Sequence, residues 1–505
     1  MNKYFIKTAF CAMLALPALT SCEFDQFPEG TIPSEEAWQT VDDAEKFNNG
    51  LLANLRSATG PSYAMIPELH CDLFNATGYN GAPPYYNSYT WIYNGDSFDG
   101  NGIWGAMYGL IYNANNVINN IDKVEVEEDN IEARKALNNY KAIAYFARAY
   151  AYTQLAEGYC KNYDKDAAAN TLGLPLVLED DVNAKPARAS LEDTYKLIKG
   201  DITAAKELFA DPESKEVGEP TYFATRFLEA RVALFSQDYE TAVEAAKEVM
   251  DNYPLSIDEN EYFTMWLNDE GPEVVYEPQQ ESPNELNGSY SAYIGGVTVD
   301  NVDKYCSSYI PTQGLLDLYE PGDMRAYCFD QTGIFVTAVA EDPNAYTFIK
   351  FPGNDALKPG TGKFEFNQMV KVFRSAEMYL VAAEAQYRID GTGASYINSL
   401  RRARGASALT SVGGAELTGT ALFNEIKNEW AREMCGEGNR FYCLKRWNEG
   451  FTRMPAQNLV EGILYTSNGG VGLRVEPTNK RWVWEIPSND LSTNKNLIPN
   501  WRTEE

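Results

Sequence analysis

Apolar and small residues recur at three- and four-residue steps from Ile131 to Tyr159, with Ala142, Tyr145, Ala149, Tyr152 and Ala156 on one stripe. That spacing predicts one long amphipathic helix, and the small side chains on the stripe let a neighbouring helix approach closely. The same period predicts helices over Leu191 to Phe209 and Thr221 to Phe235, on either side of the polar Asp211 to Pro220 loop. It also predicts Lys371 to Arg388, Ser395 to Arg404 and Leu422 to Glu437, and a further helix starting near Asp238.

Asp238-Tyr239, Ala242, Ala246, Val249 and Pro254 match the second half of a tetratricopeptide unit, in which small and apolar positions knit two antiparallel helices together. The expected fold class is therefore mainly α. Tetratricopeptide-like helical pairs, distant in sequence, form the scaffold, which carries long loop-rich excursions and a few short strands. Two segments break the helical period. Asp72 to Gly102 is crowded with Gly, Pro, Asn and Tyr, and Pro254 to Thr361 mixes turns with short apolar runs such as Glu273 to Tyr276 and Thr347 to Phe351. Loops of that length in a compact chain are uncommon unless they carry function or form a subdomain.

The first residues read as a leader. Met1 to Lys7 carries two lysines, Ala9 to Leu19 is an apolar run too short to span a bilayer, and Leu19-Thr20-Ser21-Cys22 follows. That arrangement is a secretory signal ending in a lipobox, so Cys22 is expected to be acylated and to become the first mature residue. The expected organisation is a removed leader over 1–21, a lipid-anchored tether over 22–30 and a single domain over 31–505. Contact with the membrane is then through the N-terminal lipid only.

Charge narrows the partners. With 42 basic and 72 acidic residues the net charge is -30, which argues against a nucleic-acid partner, since phosphate neutralisation needs a basic surface. Beyond Cys11 and Cys22 there remain Cys71, Cys160, Cys306, Cys328, Cys435 and Cys443, none with metal-ligand spacing. One histidine, His70, leaves no multi-histidine metal site and reads as structural. No cofactor is expected. The 33 tyrosines and 9 tryptophans mostly serve a Tyr-rich core, but tyrosine also joins an apolar face to a hydroxyl, as a site stacking on sugar rings requires.

Ordered blocks then run along most of the chain: Phe27-Pro28-Glu29-Gly30, Ala37-Trp38, Asp42-Asp43-Ala44 and Asn49-Gly50-Leu51; Trp104, Tyr108, Ile111, Asn113, Ala114-Asn115 and Ile118; Arg148-Ala149-Tyr150 and Leu174-Pro175-Leu176-Val177. The densest is Glu429, Arg432-Glu433, Gly436-Glu437-Gly438, Arg440-Phe441 and Leu444-Lys445-Arg446-Trp447, and a last one is Trp484-Glu485-Ile486-Pro487, Asp490, Asn496-Leu497-Ile498 and Asn500. Together they resemble the SusD/RagB-like outer-membrane nutrient-binding lipoproteins. Trp430, Asn439 and Cys443 depart from that family's pattern. Glu433, Glu437, Arg440 and Arg446 are spaced for ion pairs across a helix end and its Gly-rich turn, a structural role rather than a catalytic one.

The resemblance implies a non-catalytic cell-surface lipoprotein, outside the cytoplasm on the outer membrane. It would capture oligosaccharide or polysaccharide and deliver it to a SusC-like TonB-dependent outer-membrane transporter. A peptide-binding member of the same family is the alternative. A surface glycoside hydrolase is a third reading, and it would need two carboxylates about 5 to 10 Å apart across a sugar. Sugar C–H faces stack on aromatic planes while amides read hydroxyls. The two excursions accordingly nominate Trp91, Tyr86, Tyr290 and Tyr293 as rings and Asn80, Asn94 and Asn287 as polar readers. Phe98, Trp104, Tyr108 and Trp266 are assigned to the core.

Overall fold

The long helix forms over Ile131–Tyr159, as its period predicts, with the Asn130 side chain capping its N-terminus through the Ala133 amide. The computed structural model describes residues 37–501 except 79–81, 180–182, 281, 283, 284, 286, 287, 338–341, 359–363, 365, 412 and 468. The leader, Cys22 and the tether lie outside the described residues.

Ala142, Ala149 and Ala156 are buried, and the helix packs between Asn101–Asn120 and Leu191–Leu208. Arg148 fixes that trio. Its guanidinium holds Asp201 at 2.8 and 2.7 Å and donates to Asn115 at 2.8 Å. Asn115 in turn donates to the Val177 carbonyl. The sequence blocks around Asn115, Arg148 and Val177 are thus one hydrogen-bonded joint.

Next come Tyr222–Phe235 and Tyr239–Asn252, the latter burying Ala242, Ala246 and Val249. Tyr239–Asn252 packs against its sequence neighbour and also against Ala376–Asp390, far along the chain. Ala376–Asp390 carries Ala394–Ala403 and Gly419–Glu433. The architecture is mainly helical, with distant helices paired.

Several elements differ from expectation. Lys371 to Ser375 is not helical: Phe373 and Arg374 pair with the strand Val274–Tyr276, in keeping with the alternating β-branched Val370 and Val372. The helix expected to reach Glu437 stops at Glu433, because Gly436 and Gly438 turn the chain with φ of 79° and 85°. Val41–Ser57, capped by a Thr40/Asp43 box, Ser62–Leu69 and Glu259–Leu267 are helices that the periodic reading did not find. Strands among the described residues form antiparallel pairs only.

The dense block around Glu433 folds into a buried ion network. Glu433 accepts from Arg374 at 2.5 Å, Arg404 at 2.9 Å and Arg325 at 3.0 Å. Arg374 also holds Glu437 and Glu273, Arg404 reaches Glu273, and Arg325 grips Asp323 and Glu429. Lys350 closes on Glu437. Ion pairs do form at the expected residues, but not across the turn. Glu433 and Glu437 bind arginines of other segments, Arg440 binds Asp72 and Arg446 binds Glu384. The turn itself is held by Glu68, whose carboxylate accepts the backbone N–H groups of Gly436 at 3.0 Å and Gly438 at 3.2 Å.

Burial alone would raise the Glu433 carboxyl, but Arg404, Arg374 and Arg325 outweigh it and hold it well below the usual range. Glu157 is the opposite case. Burial pushes its carboxyl up to about 7, and Oε1 has no partner among the described residues.

Glu433→Gln leaves three buried guanidiniums short of their shared carboxylate. We expect a loss of about 3–5 kcal/mol in denaturant unfolding, and a loss below about 1 kcal/mol would contradict the network's role. For Glu157 the folded value lies above the unfolded one of about 4.3. The stability it contributes is complete at pH below the unfolded value and is lost as pH rises through about 7. The advantage of Glu157→Gln over the parent should therefore grow by about 2 kcal/mol between pH 5 and pH 8, and a gap that does not change with pH would refute this.

Candidate functional site

The two excursions meet. Phe74–Ala76 of the first pairs with Tyr309–Pro311 of the second, and the Tyr309 hydroxyl donates to the Pro84 carbonyl at 2.5 Å. A third segment joins them: the Tyr465 amide donates to the Ala76 carbonyl and the Gly78 amide to that of Ile463, both at 2.8 Å. Beneath lies an aromatic cluster containing Phe74, Tyr89, Tyr290, Tyr293, Phe348 and Phe351.

The short helix Tyr86–Thr90 is bracketed by Tyr85 and Trp91, both left-handed, at φ of 59° and 60°. Bulky residues reach that region only when their surroundings impose it. Here Trp91 is held by its indole N–H, which donates to the His70 carbonyl at 2.5 Å, and by edge-to-face contact with Trp482 at 4.9 Å. His70 is itself buried, stacked on Phe441 and bonded to the Tyr93 hydroxyl at 3.1 Å. Burial pushes its imidazole down to about 3, so it is a neutral core group, as expected.

Three of the nominated rings are therefore inside the protein. Trp91 is 5% exposed and packs the first excursion onto the core. Tyr290 stacks on Phe351 at 3.8 Å, and Tyr293 lies between Phe74 and Phe348. Buried rings that pack loops onto a scaffold present no face to a sugar, which corrects the reading of these three residues as rings. Asn94 is exposed, but its side-chain oxygen accepts the Asp96 and Ser97 amides in a local turn. Asn80 and Asn287 lie outside the described residues.

Tyr86 is different. It is half-buried, and Tyr465 meets it edge to face at 5.4 Å, with the Tyr465 hydroxyl donating to that of Tyr86 at 2.9 Å. A phenol has one donor and two acceptor lone pairs, so the linked pair keeps hydroxyl capacity beside two aromatic surfaces. Tyr465 lay outside the segments singled out from sequence. Its surroundings, Tyr465-Thr466-Ser467 and Gly469-Gly470, nevertheless have the composition that marked the two excursions.

Arg453 positions this pair. Its guanidinium, 2% exposed, lies 3.7 Å from the centre of the Tyr89 ring and donates to the carbonyls of Cys71, Tyr89, Gly469 and Gly470. One side chain thus ties the segment carrying Tyr86 to the segment carrying Tyr465. Gly469, at φ 83°, sits so close to Thr90 that a Cβ would fall 2.7 Å from the Thr90 carbonyl oxygen. No cluster of His, Cys, Asp or Glu among the described residues is arranged to hold a metal ion. No disulfide forms among the described residues.

Arg453→Met keeps much of the apolar stem and removes the donors from four carbonyls. It should lower stability by about 2–4 kcal/mol and speed proteolytic cleavage between Pro455 and Gly470. Unchanged resistance to protease would remove Arg453 from this positioning role.

Family models match both ends of the chain. That of the SusD family matches residues 340–501, and a SusD-like model described as starch-binding and associating with the outer membrane matches residues 39–234. Comparison with the curated proteins finds no match. Among solved structures, a SusD superfamily protein from Bacteroides thetaiotaomicron is 23% identical with a TM-score of 0.74, covering 92% of this chain and 100% of that one. A SusD-like carbohydrate binding protein from Bacteroides vulgatus is 20% identical with a TM-score of 0.73, covering 91% and 97%. Surface glycan-binding protein A from Bacteroides fluxus is 18% identical with a TM-score of 0.65, again covering 91% and 97%. Identities this low speak for the fold alone. With the two family models together matching most of the chain, the chain belongs to the SusD/RagB-like family.

Proposed function

We propose that this chain is a lipid-anchored surface protein that binds a glycan at the Tyr86–Tyr465 face and passes it, unmodified, to a TonB-dependent outer-membrane transporter. The observation that carries the reading is the hydroxyl-linked aromatic pair on a loop face braced from below by Arg453. Sugar rings need a fixed aromatic plane and nearby hydroxyl partners, and a braced pair supplies both without reordering on binding. Family membership supports the ligand class and the outer-membrane address. No helix among the described residues is long and apolar enough to cross a membrane.

Binding without turnover is favoured by the state of the dense acidic block. Glu429, Glu433 and Glu437 each face guanidinium or ammonium groups in the interior, so none of the three is placed as an acid or base for a bound sugar.

Affinity electrophoresis of the chain from Glu23 onward, through gels carrying plant, microbial and host polysaccharides, tests this directly. Retardation by one polysaccharide without its degradation is expected. Tyr86→Ala and Tyr465→Ala should each weaken it roughly tenfold, about 1.4 kcal/mol, with little change in melting temperature. Trp91→Ala should instead lower stability by about 3–5 kcal/mol. Retardation that survives both tyrosine variants would refute the assigned face. Retention of peptides and of no glycan would establish the peptide-binding alternative.

A further inference from the structure

A second cavity has the opposite electrostatic character to the chain as a whole. A groove of about 590 Å3 opens where the loop after helix Ile131–Tyr159 meets the end of helix Arg440–Arg446 and the segments around Lys480 and Trp501. That volume lies within the range of about 300–1,000 Å3 typical of ligand sites. It shares no lining residue with the Tyr86–Tyr465 face.

Its walls carry Lys161, Lys445, Arg446 and Lys480 against only Asp164 and Glu449, in a protein of net charge -30. The acids are already engaged. Glu449 pairs with Lys427 at 2.9 Å, and an Asp164 carboxylate oxygen accepts the Asp166 amide at 3.0 Å. The cations are only half engaged. Arg446 binds Glu384, and Lys445 donates to the Glu157 and Gly158 carbonyls at the end of the long helix, with no carboxylate partner. Lys161 and Lys480 are exposed and make no ion pair with any described residue.

Beside Lys480 stands an oriented ring. The Trp501 indole N–H donates to the Lys480 and Val483 carbonyls at 3.1 and 2.9 Å, which fixes its plane, and both the Lys480 ammonium at 5.5 Å and the Arg481 guanidinium at 5.6 Å lie over the ring. The indole thus holds the Lys480 ammonium in place at the groove wall, where it can meet a carboxylate.

We propose that this groove is a second ligand site for an acidic sugar. A hexuronate unit of an oligosaccharide enters the groove with its carboxylate held by Lys161 and Lys480. The sugar part rests on the glycan reading above, and the charge part rests on the groove alone. Binding should weaken with salt, because both lysines are solvent-facing.

The test is calorimetric titration of the chain from Glu23 onward with trigalacturonate and with neutral galactotriose, at low and high salt. The expected result is salt-sensitive binding of trigalacturonate, at least roughly tenfold weaker binding of galactotriose, and a loss of roughly tenfold or more in the double variant Lys161→Ala/Lys480→Ala. Both lysines are exposed, so that variant should keep the parent melting temperature. No binding of trigalacturonate, equal binding of galactotriose, full competition by inorganic phosphate, or indifference to the double variant would each overturn the proposal. If Tyr86→Ala abolishes the binding instead, the groove proposal fails while the glycan reading stands.

Discussion

Glu433 accepts hydrogen bonds from three arginines in the interior, and each arginine arrives from a different part of the chain. Arg374 comes from the strand beside Val274–Tyr276, Arg404 from the end of helix Ala394–Ala403, and Arg325 from the second excursion. Taking that many charges out of water is tolerable only with near-complete pairing in good geometry. The network therefore acts as a constraint on the fold: the helical scaffold and the loop lobe must arrive together for either to bury its charges. Apolar packing alone would hold the layers in contact, but it would not fix their relative position so closely.

The loop lobe gains its rigidity in the same way at smaller scale. Glu68 gathers the amides of the Gly436–Gly438 turn, and Arg453 gathers four carbonyls from three segments. Each is a buried side chain satisfied by backbone groups, so loops with little regular structure are held without a large core. Tyr86 and Tyr465 owe their fixed relation to this bracing, which is what a shallow recognition surface needs.

Much of the scaffold was legible in the sequence, because alanine-rich pairing positions recur at helical spacing along the 29-residue helix and in its partners. Helix Val41–Ser57 was not read from period, since its apolar stripe is interrupted and its clearest local mark is a capping box. The strand Phe373–Arg374 is two residues long and flanked by a helix, too short to show alternation. At the candidate site, composition picked out loops that do meet, and of the four nominated rings Tyr86 is half-buried while Trp91, Tyr290 and Tyr293 are inside the protein. Trp91 and Tyr86 stand five residues apart in the same aromatic-rich stretch, and only the left-handed turn at Trp91 sends the tryptophan inward. Tyr465 escaped because its segment is short, and length was the criterion that singled out the other two. The acids and bases of the Glu433 block were visible, whereas their partners lie too far away in sequence for spacing to pair them.

Arg453 has a consequence beyond bracing. The acceptors of its hydrogen bonds are all backbone carbonyls, which neither gain nor lose protons. A clamp built from an aspartate would slacken in acid and one built from histidine would slacken in base, but this one has no titrating member. This brace should therefore hold from weakly acidic to weakly alkaline conditions, unlike the brace at Glu68, whose carboxyl burial pushes up to about 7.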